Sequence, residues 1–348
     1  MKAIGVYKSA PVETEGLFTQ IETDTPVAEG RDILVRVKGV AVNPVDFKVR
    51  KGKQDDGAFK VLGWDAAGVV EAVGEDVTLF RPGDEVWYAG DVTRSGSNAQ
   101  LQVVDERIVA PKPKSLDFAA AAALPLTTIT AWEAMFDRLL IDRTAVDANA
   151  DKTILIIGGA GGVGSIAIQL AKLAGLKVIT TASRPETVAW VEKLGADQVI
   201  NHRNPLDEEL AAIDVANVDY IFCTSETDQY FDVMTTVIAP QGRIVTITEA
   251  KENHNVDLLK AKSASFSYEF MFTRSMFQTA DMIEQHKLLA TVAQLVDDGT
   301  IINTANESFG ALSPESLQKA HALLDSIAHS FPTRRSSDLK ITFDGIAD

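Results

Sequence analysis

The period of apolar and polar positions changes near the middle of this chain. In the first part apolar residues recur in short, half-alternating runs bounded by turn residues, the pattern of half-buried strands. Residues 1–7 read as a first strand. Ile33-Leu34-Val35-Arg36-Val37-Lys38-Gly39-Val40 alternates as a second. Residues 68–74 form another, ended by Gly74, and Phe80-Arg81-Pro82-Gly83-Asp84 is turn chemistry before a strand at 85–88. Strands at this spacing, with few helical windows, predict a small barrel-like domain that exits at Pro111 and Pro113. Helical periodicity follows at 119–123 and 127–136, with Pro125 between. From Lys152 onward strands and helices alternate. Strands fall at 154–157, 177–181, 198–200, 218–223 and 243–248, and a helix at 187–194 stops at Gly195. That alternation predicts a doubly wound parallel sheet, so the fold class is α/β. A polar and aromatic stretch at 263–277 precedes helices at 280–296 and 314–324.

The sharpest local signal is the turn in Thr153-Ile154-Leu155-Ile156-Ile157-Gly158-Gly159-Ala160-Gly161-Gly162-Val163-Gly164-Ser165. An unbroken apolar run marks a strand buried on both faces. Ile166, Ala167, Leu170, Ala171 and Leu173 then recur at helical spacing. Strand, glycine turn and helix together give G-x-G-x-x-G its meaning as a dinucleotide site. Gly159, Gly161 and Gly164 fill its three glycine positions, expected to make the tight turn, admit a pyrophosphate and pack helix on strand. Gly162 and Val163 open the helix, whose N–H groups face the phosphates. The blander reading is an ordinary strand-to-helix turn.

Composition narrows the classes. At 348 residues the chain has room for about two domains. A net charge of -16 argues against nucleic acid as a partner. No run approaches the ~18 apolar residues of a membrane span, and no long apolar run follows the N-terminus as in a signal peptide. Cys223 is the only cysteine, which excludes an intrachain disulfide and fits a reducing, cytoplasmic setting.

A β-rich first part, the Gly-Gly-x-Gly-Gly-Val-Gly turn near mid-chain and a returning C-terminal segment resemble the medium-chain dehydrogenase/reductase superfamily. The likeness covers essentially the whole chain. Within the superfamily the chain looks like the zinc-free quinone oxidoreductase and enone reductase branch, in the group often labelled zinc-type alcohol dehydrogenase-like. Ser265-Phe266-Ser267-Tyr268-Glu269-Phe270-Met271-Phe272-Thr273-Arg274-Ser275-Met276-Phe277 carries that look. The resemblance implies a GroES-like catalytic domain from 1–125 and 276–348, a Rossmann domain at 126–275, an active site in the cleft between them, and a homodimer joined through the edge of the Rossmann sheet near 264–275. Zinc-using relatives place a cysteine where this chain has Asn43, a histidine where it has Trp64, and a cysteine near Leu126. An amide, an indole and an aliphatic chain cannot supply the Cys, His or carboxylate ligands that catalytic zinc requires, so no bound metal is expected.

Cofactor choice turns on the end of the second Rossmann strand, where NAD sites carry a carboxylate. Here Thr181-Ala182-Ser183-Arg184-Pro185 offers none before Glu186. Ser183 and Arg184 instead suit the 2′-phosphate of NADPH; the alternative is a surface turn whose arginine faces water. By resemblance, Thr130 lies near the nicotinamide and Thr224 along the ribose. Without zinc, charge on the acceptor must be handled by hydrogen-bond donors. This suits a quinone or an α,β-unsaturated carbonyl, whose reduction leaves a delocalised oxyanion. Asn43 is the leading donor by family pattern, with Tyr88 and Asp46 behind it. Trp64, Phe270 and Phe272 would wall an apolar pocket for a flat small-molecule acceptor, or simply pack a core. The expected function is therefore NADPH-dependent reduction of a quinone or enone. Alcohol dehydrogenase or aldehyde reductase activity, or a non-catalytic NADPH-binding redox sensor, are the alternatives.

One segment reads as foreign. Phe331-Pro332-Thr333-Arg334-Arg335-Ser336-Ser337-Asp338-Leu339 is the translation of a common sequencing-adapter oligonucleotide. It has no apolar periodicity, and it stands between a family-like helix and a family-like last strand, Lys340-Ile341-Thr342-Phe343. The competing reading is a basic surface loop. Sequencing the gene from genomic DNA without adapters should return a chain lacking these codons; recovering them would overturn the reading.

Overall fold

The computed structural model describes residues 1–329 and 340–347; the segment read as foreign lies outside them. The chain divides into two compact units. One comprises Met1–Ile129 and Phe272–Asp348, the other Thr130–Met271.

The first unit begins with eight strands: β1 Lys2–Val6, β2 Thr19–Glu22, β3 Asp32–Val42, β4 Lys60–Val61, β5 Asp65–Val73, β6 Glu85–Tyr88, β7 Leu101–Asp105 and β8 Val109–Pro111. The contiguous unit holds β9 Thr153–Ile157, β10 Lys177–Thr181, β11 Gln198–Ile200, β12 Val218–Cys223, β13 Ile238–Thr246 and β14 Ser265–Tyr268. The returning segment adds β15 Glu307–Ala311 and β16 Ile341–Asp344 to the first unit.

β3 organises the first unit. Lys38 is exposed while Val35 and Val37 are buried, and from Gly39 onward the strand is buried throughout. It pairs antiparallel with β5, with β7 along its first half and with β16 along its second. The sheet runs β15-β16-β3-β5-β6-β8, with β7 off this path, and β2-β1-β4 makes a smaller sheet. The short helix Pro44–Lys51 follows β3 directly. Apolar periodicity does not reveal it, because its buried residues are Asp46, Phe47 and Arg50. Its signal is Asn-Pro, a capping residue followed by proline at the first helical position. On the same unit the helix Pro314–His329 packs against it. Arg50 there donates to Asp325 at 2.7 Å, and Lys51 pairs with the same carboxylate.

The second unit is a six-stranded parallel sheet in the order β11-β10-β9-β12-β13-β14. Ile154, Leu155, Ile156 and Ile157 are fully buried because β9 is central and covered on both faces. Each contributes roughly 1.5–3 kcal/mol by leaving water. Three differences from the sequence reading have physical causes. Pro125 does not lie between the two helices but opens the second, Pro125–Trp132, at the position where a missing N–H costs nothing. β14 escapes the periodicity because it is an edge strand, with Ser265 and Tyr268 exposed. β13 begins earlier than expected and carries a register shift, with Gln241 at φ 64°. Among the described residues no helix is long and apolar enough to cross a membrane.

Candidate functional site

The glycine turn in the second unit is shaped by three close approaches. Gly158, not Gly159, takes the left-handed backbone, at φ 88°. Its N–H is tied to the Thr181 hydroxyl at 2.9 Å. A Cβ on Gly159 would lie 1.8 Å from Thr180 Oγ1, and one on Gly164 would lie 2.4 Å from the Gly158 carbonyl oxygen. Only hydrogen fits at either place. Gly161 caps the helix Gly162–Leu173 with extended backbone and no side chain. The first-turn N–H groups of Gly162, Val163 and Gly164 therefore have no intrahelical acceptor and point outward, the arrangement a pyrophosphate requires. These residues fit a dinucleotide.

The flanking candidates are placed as follows. Ser183 lies past the end of β10, its hydroxyl 3.2 Å from His202 Nε2. Arg184 starts the helix Pro185–Lys193 and pairs with the exposed Glu186 at 3.3 Å. His202, which the sequence reading missed, thus adds an imidazole beside the hydroxyl. Thr224 donates its hydroxyl to the carbonyls of Ile157 at 2.8 Å and Gly158 at 3.3 Å, so it braces the glycine turn. Thr130 is buried in the helix Pro125–Trp132. That helix continues as a π turn over Glu133–Arg138, a rare geometry that the sequence does not announce. The turn carries the buried Glu133 and sets Arg138 2.8 Å from the buried Glu269. Burial, and then the neighbouring Glu133, push the Glu269 carboxyl well above its ordinary range.

The first unit holds a second, wholly buried polar cluster. Asn43, Asp65 and Lys340 are at most 3% exposed. Lys340 Nζ donates to Asn43 Oδ1 at 2.6 Å and to Asp65 Oδ2 at 2.6 Å, and Asn43 Nδ2 donates to the same carboxylate oxygen at 2.8 Å. The other oxygen, Oδ1, takes the Leu126 N–H at 2.7 Å. Asp46 accepts the Asn43 backbone N–H at 2.5 Å. Burial outweighs that hydrogen bond, and the nearby Asp65 adds to it, so the Asp46 pKa is pushed up to about 7. Topology explains the convergence: Asn43 leaves β3, Asp65 begins β5, and Lys340 precedes β16, the two neighbours of β3. Nothing in the local sequence links Lys340 to Asn43, and the sequence reading did not find it.

Tyr88 is buried and gives its hydroxyl to Gln102 at 2.9 Å, with burial holding it protonated. Trp64 is fully buried, donates its indole N–H to the Asp91 carbonyl at 3.0 Å, and meets the buried Phe272 edge-on at 6.2 Å between ring centres. Both occupy core positions of the first unit. Phe270 belongs to the other unit and is half exposed.

Zinc does not fit the donor set at Asn43, Trp64 and Leu126. Asn43 Oδ1 already faces an ammonium, Trp64 offers a donor only, and Leu126 contributes a backbone N–H. Among the described residues no three His, Cys, Asp or Glu side chains are grouped to hold a metal.

Comparison with known proteins adds the following. Residues 29–114 match the family model for the alcohol dehydrogenase GroES-like domain, and residues 162–286 match that for zinc-binding dehydrogenase. A zinc-type alcohol dehydrogenase-like protein of Staphylococcus aureus (strain MSSA476) is 48% identical over 325 residues, 93% of this chain and 96% of that protein. The chloroplastic NADPH-dependent alkenal/one oxidoreductase of Arabidopsis thaliana is 37% identical over 245 residues, 66% of this chain and 59% of that one. The crystal structure of a Rhizobium etli CFN 42 protein assigned as a zinc-dependent alcohol dehydrogenase superposes with a TM-score of 0.91 at 49% identity, covering 100% of this chain and 99% of that one.

Proposed function

The chain belongs to the medium-chain dehydrogenase/reductase superfamily, and from that premise we propose that it is an NADPH-dependent reductase of quinones or α,β-unsaturated carbonyls that works without zinc. The observation that carries this reading is the buried Asn43–Asp65–Lys340 cluster, in which an amide already bonded to a carboxylate and an ammonium stands at the first of the three positions where the resemblance expects a metal ligand. Bound NADPH would supply a hydride. The glycine turn would hold its pyrophosphate, and Ser183 and Arg184 its 2′-phosphate. The protein's remaining task is to stabilise negative charge on the acceptor oxygen. On a simple ketone that charge is a localised alkoxide, for which a metal helps most. On an enone or quinone it spreads through the conjugated system, and a neutral hydrogen-bond donor such as the Asn43 amide suffices. The Arabidopsis relative, named for NADPH and for alkenal/one substrates, supports the same choice.

NADPH oxidation assayed with a quinone, an enal and a simple saturated aldehyde tests the reading. Turnover is expected with the conjugated acceptors. Turnover with the aldehyde alone would favour an alcohol dehydrogenase, and tight NADPH binding with no turnover a redox sensor. Arg184→Ala should raise the KM for NADPH by about 10- to 100-fold, matching the ~1.5–3 kcal/mol of a charged hydrogen bond, and leave NADH unchanged. An equal effect on both cofactors would refute the 2′-phosphate assignment. We further propose that β14, one of the two edge strands of the parallel sheet, pairs with a second copy of the chain. A monomeric mass by light scattering at micromolar concentration would remove that proposal.

A further inference from the structure

Lys340 lies outside every motif, yet it is the only ammonium that reaches Asn43 or Asp65 among the hydrogen bonds of the described residues. Its placement is fixed on all sides. The ladder pairs Ile341 with Val42, so Lys340 stands across from Asn43, one step beyond the last pair. The Lys340 N–H is held by Asn306 Oδ1 at 2.8 Å. A buried ion pair is a poor way to stabilise a fold, since apolar residues of similar size do as well or better. What this pair does is orient an amide. An ammonium only donates, so the atom it meets at 2.6 Å must be the Asn43 carbonyl oxygen. The amide nitrogen is thereby turned to Asp65, which takes one of its two hydrogens. The second N–H is left with a fixed direction. The ammonium against the amide oxygen also draws electron density from the nitrogen and strengthens that N–H as a donor.

We propose that Lys340 is a positioning residue of this site: it locks and polarises the Asn43 amide so that the amide's second N–H serves as the donor to the acceptor's oxyanion. The proposal rests on reading the site as a reductase centre, and it adds the residue on which Asn43 depends. Lys340 acts through Asn43, so the two substitutions should not multiply. Lys340→Met leaves the Asp65 carboxylate buried without its counter-ion. The charge-neutral pair Lys340→Met/Asp65→Asn therefore accompanies it, with thermal unfolding as the check on folding.

Two measurements test the proposal, and one does not need turnover. The first titrates the NADP⁺-loaded protein with 4-nitrophenolate, a delocalised oxyanion whose absorbance reports its ionised, bound form. Wild type should bind it. Asn43→Ala and the charge-neutral pair should each weaken binding at least tenfold, with NADPH affinity within twofold of wild type. The second measures kcat on the conjugated acceptor. Asn43→Ala and Lys340→Met should each lower it by about 100-fold, the scale of losing one oxyanion donor. Adding Asn43→Ala to Lys340→Met should cost less than threefold more, and Lys340→Arg should recover part of the loss. No phenolate binding by wild type, unchanged phenolate affinity in a folded charge-neutral pair, or fully multiplicative losses would each overturn the positioning role. Phenolate binding that depends on Lys340, with no reduction of any conjugated acceptor, would instead sink the reductase reading and leave the oxyanion donor standing.

Discussion

Gly159→Ala is expected to weaken NADPH binding by at least 100-fold, about 2.7 kcal/mol, and to lower thermal stability together with it. The added methyl would sit 1.8 Å from Thr180 Oγ1 and 3.2 Å from Ile168 Cδ1. Thr180 cannot turn away freely. It is fully buried, and its hydroxyl donates to the Ile156 carbonyl at 2.8 Å. Either that bond breaks or the turn moves off β10. Overpacking of this kind costs roughly 1–3 kcal/mol, and a displaced turn no longer aims its amides at a pyrophosphate. The double variant Gly159→Ala/Thr180→Ala removes the offending oxygen and should regain much of the affinity, while Thr180→Ala alone should bind nearly as wild type. Fluorescence titration of NADPH reads all three. Binding by Gly159→Ala within threefold of wild type would show that the turn yields without consequence.

The second large effect concerns acid stability. His321, on the helix Pro314–His329, is fully buried, and among the described residues neither ring nitrogen has a hydrogen-bond partner. Its ring lies 4.8 Å from that of Phe18. The Arg50 guanidinium, itself paired with Asp325, acts on it. Burial, and then the charge of Arg50, push its pKa down to about 3. A histidine with a depressed folded pKa binds protons more readily when unfolded. Its contribution is thus intact above about pH 6.5 and falls as the pH drops toward 3. Linkage gives a loss of about 2 kcal/mol at pH 5. His321→Leu keeps the apolar contact and should abolish this component. Urea unfolding at pH 7.5 and pH 5.0 should show the wild type losing about 2 kcal/mol more than the variant between the two. Equal losses would mean that the imidazole is protonated in the folded protein.

The glycine turn and the Lys340 cluster mark the limits of what the chain reveals by itself. The glycine turn is legible because each of its demands is met within a dozen consecutive residues, by an apolar run, glycines and a helical stripe. The expectation of no zinc also draws on local identity alone, that of Asn43, Trp64 and Leu126. Lys340 is hidden because its partners lie 297 and 275 residues away, and only the sheet order brings them together. The π turn at Glu133–Arg138 and the edge strand β14 leave no periodic trace, one for want of a regular repeat and the other because it needs little burial. Tyr88 and Trp64 bond their polar atoms to Gln102 and to the Asp91 carbonyl, partners that no local pattern announces.

The long separation between β3 and β16 bears on how the protein is made. The second unit is one unbroken stretch, Thr130–Met271, and its last strand exists as soon as Tyr268 has been synthesised. β3 is finished early, yet its partner along Gly39, Val40, Ala41 and Val42 is β16. At ribosomal speeds of 5–20 residues per second, the 297 residues from Asn43 to Lys340 take roughly 15–60 s. Throughout that interval the growing chain carries an unpaired strand edge and an Asp65 carboxylate with no counter-ion. Both invite association with other nascent chains. A truncation that removes Lys340 and β16 therefore does more than shorten the tail: it makes that exposed intermediate permanent, and such fragments should depend on chaperones or be cleared.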